Sequence, residues 1–280
     1  MVALSMILLE NVVDLDAIAI LNRLQNHWGI SECKLSDAPP DDHKDAKEIK
    51  NNLYMEIEGR ICFVIPIDAP IPDEDVEFAM QISHLWLDAK EYVSRSHAHL
   101  IVGVMSPFDR EITALDQHLI LTKLVESVLH PLPQALGVYQ GDATLIISPD
   151  FYKEQAATIL KGQIPETLWV YFGLRIPEEG SANAYTYGLY KFGKNEMEIL
   201  NSRKSGEEIM NFLMSISAYV IGADVTLKHG ETCGFSATQR VPITLSKAVW
   251  LGGDADDTLK LDYDYNQPPR KSSWKFWKKN

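Results

Sequence analysis

Between Pro165 and Leu200 the chain reads PETLWVYFGLRIPEEGSANAYTYGLYKFGKNEMEIL, an aromatic, glycine-punctuated stretch rich in strand formers, and the rest of the chain is organised around it. Leu168, Trp169, Val170, Tyr171 and Phe172 make an unbroken apolar run, the pattern of a strand covered on both faces. Tyr185, Tyr187 and Leu189, then Met197 and Ile199, alternate as half-buried strands do. The spacing of polar groups within the stretch marks no reaction centre.

Upstream, residues 3–10 read as a strand. Asp14 is placed to cap a helix whose apolar positions Ile18, Leu21, Leu24 and Trp28 recur at helical spacing until Gly29. Residues 38–52, with two prolines and many charges, are too polar to pack and read as a surface loop. Leu53–Glu58 and Arg60–Ile67, split by Gly59, read as paired strands. Pro72 and the acids after it open a helix expected to end near Trp86. His97–Met105 is apolar on both faces, as in a central strand. Ser106 and Pro107 then suit the N-cap and first position of the longest helix, running to about Leu129. Ala135–Tyr139 and Ala143–Ile147 flank a QGD turn, and Ser148-Pro149 opens a helix that stops at Gly162.

Downstream, Ser205 and Glu208 make a capping box for a helix that buries Ile209, Phe212, Leu213, Ile216 and Val220 and ends at Gly222. Val225–Phe235 reads as a hairpin turning at His229-Gly230, with Lys228 opposite Glu231. Ile243–Leu251 and Thr258–Tyr263 supply the last strands. Strands and helices mix without a βαβ rhythm and several strand pairs have short links. The expected class is therefore α+β, with mixed, largely antiparallel sheets and helices packed on them, and a doubly wound α/β fold is the alternative. The expected organisation is an N-terminal lobe over 1–148, a C-terminal lobe over 149–265 packed closely on it, and a mobile basic aromatic tail over 266–280.

The opening MVALSMILLENVV lacks a basic leader and a small-residue cleavage site, so it reads as a strand and not a signal peptide. No run approaches the roughly 18 apolar residues of a membrane helix, and a cytoplasmic location is expected. Cys33, Cys62 and Cys233 are distant from one another and odd in number, which suits small buried apolar groups better than a disulfide scaffold or a CxxC metal site. The formal charge of −13 argues against nucleic acid and favours cationic partners.

Candidate chemistry is sparse. His97 and His99 at i, i+2 on a strand would point two imidazoles to one face, but a metal site needs a further ligand from elsewhere, and the plainer account has one histidine capping the strand end and the other partly exposed. No metal and no cofactor is expected. Glu196 and Glu198 likewise share a face, suited to acid–base work or a hard cation, although alternation with Met197 and Ile199 equally describes a solvated face. His229, Glu231 and Cys233 form a polar group without the pattern of a nucleophile. There is no GxSxG, HExxH or phosphate loop, so an enzyme is disfavoured.

The segments PETLWVYFGL, YTYGLYKFGKNEMEIL and HGETCGFSATQRVPIT, with the upstream AHLIVGV and ALGVYQGD, resemble bacterial proteins grouped as domain of unknown function family 4261, through most of the chain to about Leu261. The resemblance brings no catalytic residue with it. Where that family more usually has GETIGF this chain has GETCGF, so the resemblance implies a packing position for Cys233. By analogy with families encoded beside secreted toxins, it suggests an immunity protein.

The function expected is that of a non-enzymatic binding protein, such as an immunity protein whose acidic surface steers it to a cationic toxin, with Trp169, Tyr185, Tyr187, Glu196, Glu198, His229 and Glu231 as candidate contacts. The alternative is a metal-dependent or hydrolytic enzyme using His97, His99, Glu196 and Glu198. A third possibility is a regulatory domain that recruits proteins through exposed aromatics. In the tail, Arg270, Lys271, Lys275, Lys278 and Lys279 stand beside Trp274, Phe276 and Trp277 without an acid, giving +5 against 21 basic and 39 acidic residues, or −18, in residues 1–265. That combination suits peripheral contact with an anionic membrane or an acidic protein. The sequence leaves the oligomeric state open.

Overall fold

Alternating apolar residues in the first half of the chain build a seven-stranded, wholly antiparallel sheet. In the computed structural model, which describes residues 2–37, 52–106, 112–178, 180–234, 239–251 and 257–265, its strands are β1 (Val2–Leu9), β2 (Cys33–Ser36), β3 (Leu53–Ile57), β4 (Arg60–Ile67), β5 (Ala98–Met105), β6 (Gly137–Gln140) and β7 (Leu145–Ile147). Their spatial order is β2-β3-β4-β5-β1-β6-β7, which puts the apolar β5 at the centre. Between β3 and β4, Glu58 and Gly59 both take positive φ (48° and 76°), the tight two-residue turn that matches strand twist. Gly103 on β5 makes room for the ring of Phe63, its cross-strand partner, which a Cβ there would meet at 2.1 Å and force to move.

Helices α1 (Ala17–Asn26) and α4 (Ala114–Leu129) cover the face of this sheet that carries Ile7 and Leu9. Glu126 ties the two together, accepting from Arg23 at 2.6 Å and from the Trp28 indole N–H at 2.9 Å. Helices α2 (Asp73–Ile82) and α3 (Ala89–Val93) pack at the other face around Leu8, Tyr139 and Ile146. Three boundaries differ from the sequence expectation. Asp16, not Asp14, caps α1 by accepting from the Ala19 N–H, in the register that buries Ile20 and Leu24 and leaves Ile18 exposed. Thr113, not Ser106, caps α4 through the Asp116 N–H, and the Ser106 hydroxyl instead donates to Gln117 at 2.8 Å. At α2 the chain turns extended at Ser83, which frees Trp86 to pack over Gly137 and beside Tyr92.

The second sheet holds β8 (Tyr171–Glu178), β9 (Ser181–Tyr187), β10 (Met197–Ser202), β11 (Thr232–Cys233), β12 (Val241–Lys247) and β13 (Asp257–Leu261) in the order β11-β12-β13-β10-β9-β8. Only the β10/β13 pair is parallel among the described strands, so the class is α+β as expected. Helix α5 (Pro149–Ala156), capped by Ser148, precedes it, and α6 (Gly206–Gly222), capped by Ser205 accepting from the Glu208 N–H, follows β10. At 17 residues α6 is longer than the 16-residue α4. Its Phe212, Leu213, Ile216 and Val220 meet one face of the sheet, where Leu174 touches Gly206.

Two strand assignments are corrected here. The Leu168–Phe172 run becomes a strand only at Tyr171, because residues Glu166–Leu168 form a 3-10 turn in which the Glu166 carbonyl accepts from the Trp169 and Val170 N–H groups. The His229-Gly230 turn forms, with the Glu231 carboxylate accepting from the Lys228 N–H at 2.9 Å, yet β11 pairs with β12 and not with residues 225–228. All strands of the first sheet precede residue 148 and all of the second follow residue 149, but one hydrophobic core runs from Ala3 to Leu261 through both. Residues 38–51 and the tail 266–280 lie outside the described residues.

Candidate functional site

Register decides which side chains of the second sheet share a side. Tyr171 lies opposite Tyr187, Gly173 opposite Tyr185, and Arg175 opposite Asn183; Tyr185 in turn lies opposite Glu198, and Glu198 opposite Lys260. Two-residue periodicity therefore gathers the aromatic and charged residues on the side away from α6. There Tyr171, Arg175, Tyr185 and Tyr187 form one wall of a cleft of about 1030 Å³, whose far side is Phe78 and Ile82 of α2. Trp250 and Leu251, in the segment after β12, close it at another side.

Each wall residue has a local cause. The Tyr185 ring lies flat over Gly173, where a Cβ would come within 2.2 Å of it. Gly188, at φ 123°, brings the chain against the Trp169 carbonyl and starts the 3-10 turn Leu189–Phe192, which swings Tyr190 into the cleft. Tyr171 donates its hydroxyl to the Ile82 carbonyl at 3.2 Å, which joins α2 to the second sheet, and its ring lies 5.9 Å from that of Tyr185. Tyr190 donates to the Asp142 carbonyl at 3.0 Å, with its ring 5.7 Å from that of Tyr187. Burial, reinforced by these neighbours, pushes the Tyr171 and Tyr190 phenols well above their usual range, so both are neutral at ordinary pH.

The two carboxylates are buried, so the solvated-face expectation is overturned. Glu198 is wholly inaccessible and accepts from the N–H groups of Val249 (3.0 Å) and Trp250 (2.8 Å), from the Thr258 hydroxyl (2.8 Å) and from the Lys260 ammonium (2.8 Å). Burial acts to raise its pKa, but the bonds from Lys260, Trp250, Thr258 and Val249 outweigh it and hold the carboxyl below its ordinary value. Glu198 thus fastens the segment that carries Trp250. Glu196 accepts from the Gly188 N–H (2.9 Å), the Tyr190 N–H (3.1 Å) and the Thr186 hydroxyl (2.7 Å), and so fastens the turn that carries Tyr190. Here burial outweighs the hydrogen bonds and the pKa is raised. The side of the strand was legible from alternation; the cover was not, because it comes from residues 249–250 and 188–190.

Other sequence candidates fall elsewhere. Trp169 is buried, donating its indole N–H to the Thr122 hydroxyl at 2.9 Å between the rings of His118 and Phe192. His229 and Glu231 sit on an exposed turn, where His229 Nδ1 accepts from the Leu245 N–H, and neither lines the cleft. His97 is exposed, while His99 is buried with Nδ1 2.7 Å from the Ala69 carbonyl; the four residues named for an enzyme do not meet in one pocket. Among the described residues, no three His, Cys, Asp or Glu are grouped to hold a metal ion. Burial pushes the Cys62 and Cys233 thiols up to about 12 and about 11. Arg270, Lys271, Trp274, Lys275, Trp277, Lys278 and Lys279 lie outside the described residues. Sequence reasoning missed Arg175, Tyr190 and Trp250; Tyr171, read as a buried residue, is buried in the core as expected and also lines the cleft, for which the alternation Tyr171-x-Gly173-x-Arg175 was the available signal.

One comparison bears on part of this wall. Residues 185–262 match the family model described as Domain of unknown function (DUF4261). The resemblance read from the sequence is supported over that span. The DUF4261 segment supplies Tyr185, Tyr187, Tyr190, Glu196, Glu198, Trp250 and Lys260, whereas Tyr171, Arg175 and the α2 side of the cleft lie upstream of it. No curated protein and no solved structure matches the chain. Among the described residues, no helix is long and apolar enough to cross a membrane.

Proposed function

We propose that this chain is a non-catalytic binding protein that receives a segment of another protein in the cleft between α2 and the second sheet. The observation that carries the reading is the composition of the cleft: four tyrosines, Trp250 and Phe78 are among its lining, and the carboxylate of Glu196 in the wall, like that of the buried Glu198 on the same side of the sheet, is occupied by the chain's own N–H and O–H groups. Amphipathic aromatic walls of this kind give contact area at low entropic cost, as in protein recognition surfaces. At about 1030 Å³ the cleft exceeds what a small metabolite fills. The formal charge of −13 supports a cationic partner, and neutralising a toxin in a bacterial cytoplasm is the finer form of the reading.

The test is photocrosslinking in the cell that makes the protein, with p-benzoylphenylalanine in place of Phe78, which is 56% exposed in the cleft wall, or of Ile18, which is 60% exposed on α1. A discrete protein adduct is expected from position 78 alone and should vanish in the Tyr187→Ala, Trp250→Ala background. Equal labelling from both positions, or none from 78, refutes the reading. The immunity form is tested by co-expression with an adjacent toxic reading frame, where growth should be restored.

A further inference from the structure

Among the described residues, the ionic groups of the cleft wall have partners within the chain, Arg175 excepted. Lys194 is held by Asp224 at 2.6 Å, Asp257 by Lys247 at 3.3 Å, and Glu196 by its own loop. The Tyr171 hydroxyl is spent on the Ile82 carbonyl and the Tyr190 hydroxyl on the Asp142 carbonyl, so at these two positions the cleft meets rings more than donors. Arg175 remains. It lines the cleft close enough to Tyr171 to act on its charge, and among the described residues its side chain is in no ion pair and no hydrogen bond.

A guanidinium presents a planar fork of donors that fits a carboxylate through two parallel bonds. On a body of charge −13 this is a local exception: an anion is repelled by the protein at large and attracted at this point. The neighbouring surface is aromatic, so the rest of the ligand has ring faces to lie against.

We propose that the cleft selects a carboxylate joined to a planar or apolar body, with the carboxylate on Arg175 and the body among the rings of Tyr171, Tyr185, Tyr187 and Trp250. This rests on the reading of the cleft as a binding site and specifies its ligand. The carboxylate comes either from an acidic residue beside an aromatic one in a protein segment, or from a free aromatic acid.

Two matched pairs of probes separate these sources: 2-naphthoate against 2-naphthamide, and the peptides acetyl-Gly-Trp-Asp-Gly-amide against acetyl-Gly-Trp-Asn-Gly-amide, each titrated by protein-observed NMR. In at least one pair the acid is expected to bind about tenfold more tightly than its neutral counterpart, about 1.4 kcal/mol. Arg175→Gln should reduce that preference to less than about twofold with an unchanged thermal midpoint, since Arg175 is exposed. Trp250→Ala should weaken acid and amide alike. Preference in the peptide pair alone assigns the ligand to a protein segment, and preference in the naphthyl pair alone to a free acid. No preference in either pair, or a preference that survives Arg175→Gln, overturns the proposal. Crosslinking that fails while the naphthoate preference stands removes the protein-partner reading and leaves this one; adducts without any acid preference do the reverse.

Discussion

Replacing Glu198 by alanine removes one acceptor from four donors at once. The N–H groups of Val249 and Trp250, the Thr258 hydroxyl and the Lys260 ammonium all converge on that carboxylate, which is wholly buried. Breaking a buried ion pair costs about 3–5 kcal/mol, and each buried donor left without an acceptor costs about 1–3 kcal/mol, but the two figures overlap because one group serves all four. Lys260 keeps the Ser246 and Lys247 carbonyls, and the Trp250 segment can open to water, which places the expected loss near the lower end, at about 3 kcal/mol. In a chain of this size that corresponds to a fall of roughly 6–12 °C in midpoint. Glu198→Gln keeps an oxygen for the N–H groups and loses the charge, for about 1–2 kcal/mol.

The sign of the pH dependence follows from the depressed pKa. The contribution of Glu198 is complete above its unfolded value of about 4.5 and is lost as pH falls through the lower folded value, so the gap between wild type and Glu198→Gln should be constant from pH 6 to 8 and narrow only below about 4.5. Glu196, whose pKa is raised, behaves oppositely. Its ionised form is disfavoured by folding above the folded value, and wild type should gain on Glu196→Gln as pH is lowered through that raised value towards about 4.5. Urea unfolding followed by circular dichroism reads both. A Glu198→Ala protein within about 0.5 kcal/mol of wild type would refute the reasoning, since surface substitutions alone produce changes of that size.

Trp169→Ala should cost about 3–5 kcal/mol, and Trp169→Phe far less, because the indole is buried and its N–H bonds Thr122; an unchanged denaturation midpoint for the alanine variant contradicts that burial. Deleting residues 267–280 should abolish binding to anionic vesicles at low salt, because the +5 charge and the aromatic residues are removed together; equal sedimentation of both chains with the vesicles excludes the tail as the contact.

The elements most legible in the sequence are those whose determinants are local. Ser205 caps α6, Gly59 turns the β3–β4 hairpin, and the apolar His97–Met105 run gives the central β5, each through residues within a few positions of one another. Asp14 and Ser106 failed as caps because two acids, or two hydroxyl residues, competed for one helix start, and tertiary burial of Ile20 and Leu24 chose the α1 register. The same limit hid the site. Alternation at Glu196 and Glu198 specifies a side of β10, but polar residues mean a wet surface only if nothing covers them. Here the cover of Glu198 is remote in sequence, coming from the 249–250 segment, that of Glu196 comes from the 188–190 turn, and α2 reaches across from residues 78–82 to face Tyr171. A buried carboxylate that gathers N–H donors from a distant loop is therefore a device for positioning that loop. Because Glu196 and Glu198 each hold a turn bearing one aromatic wall of the cleft, Tyr190 in one case and Trp250 in the other, loss of either carboxylate is expected to alter the cleft before it alters the fold.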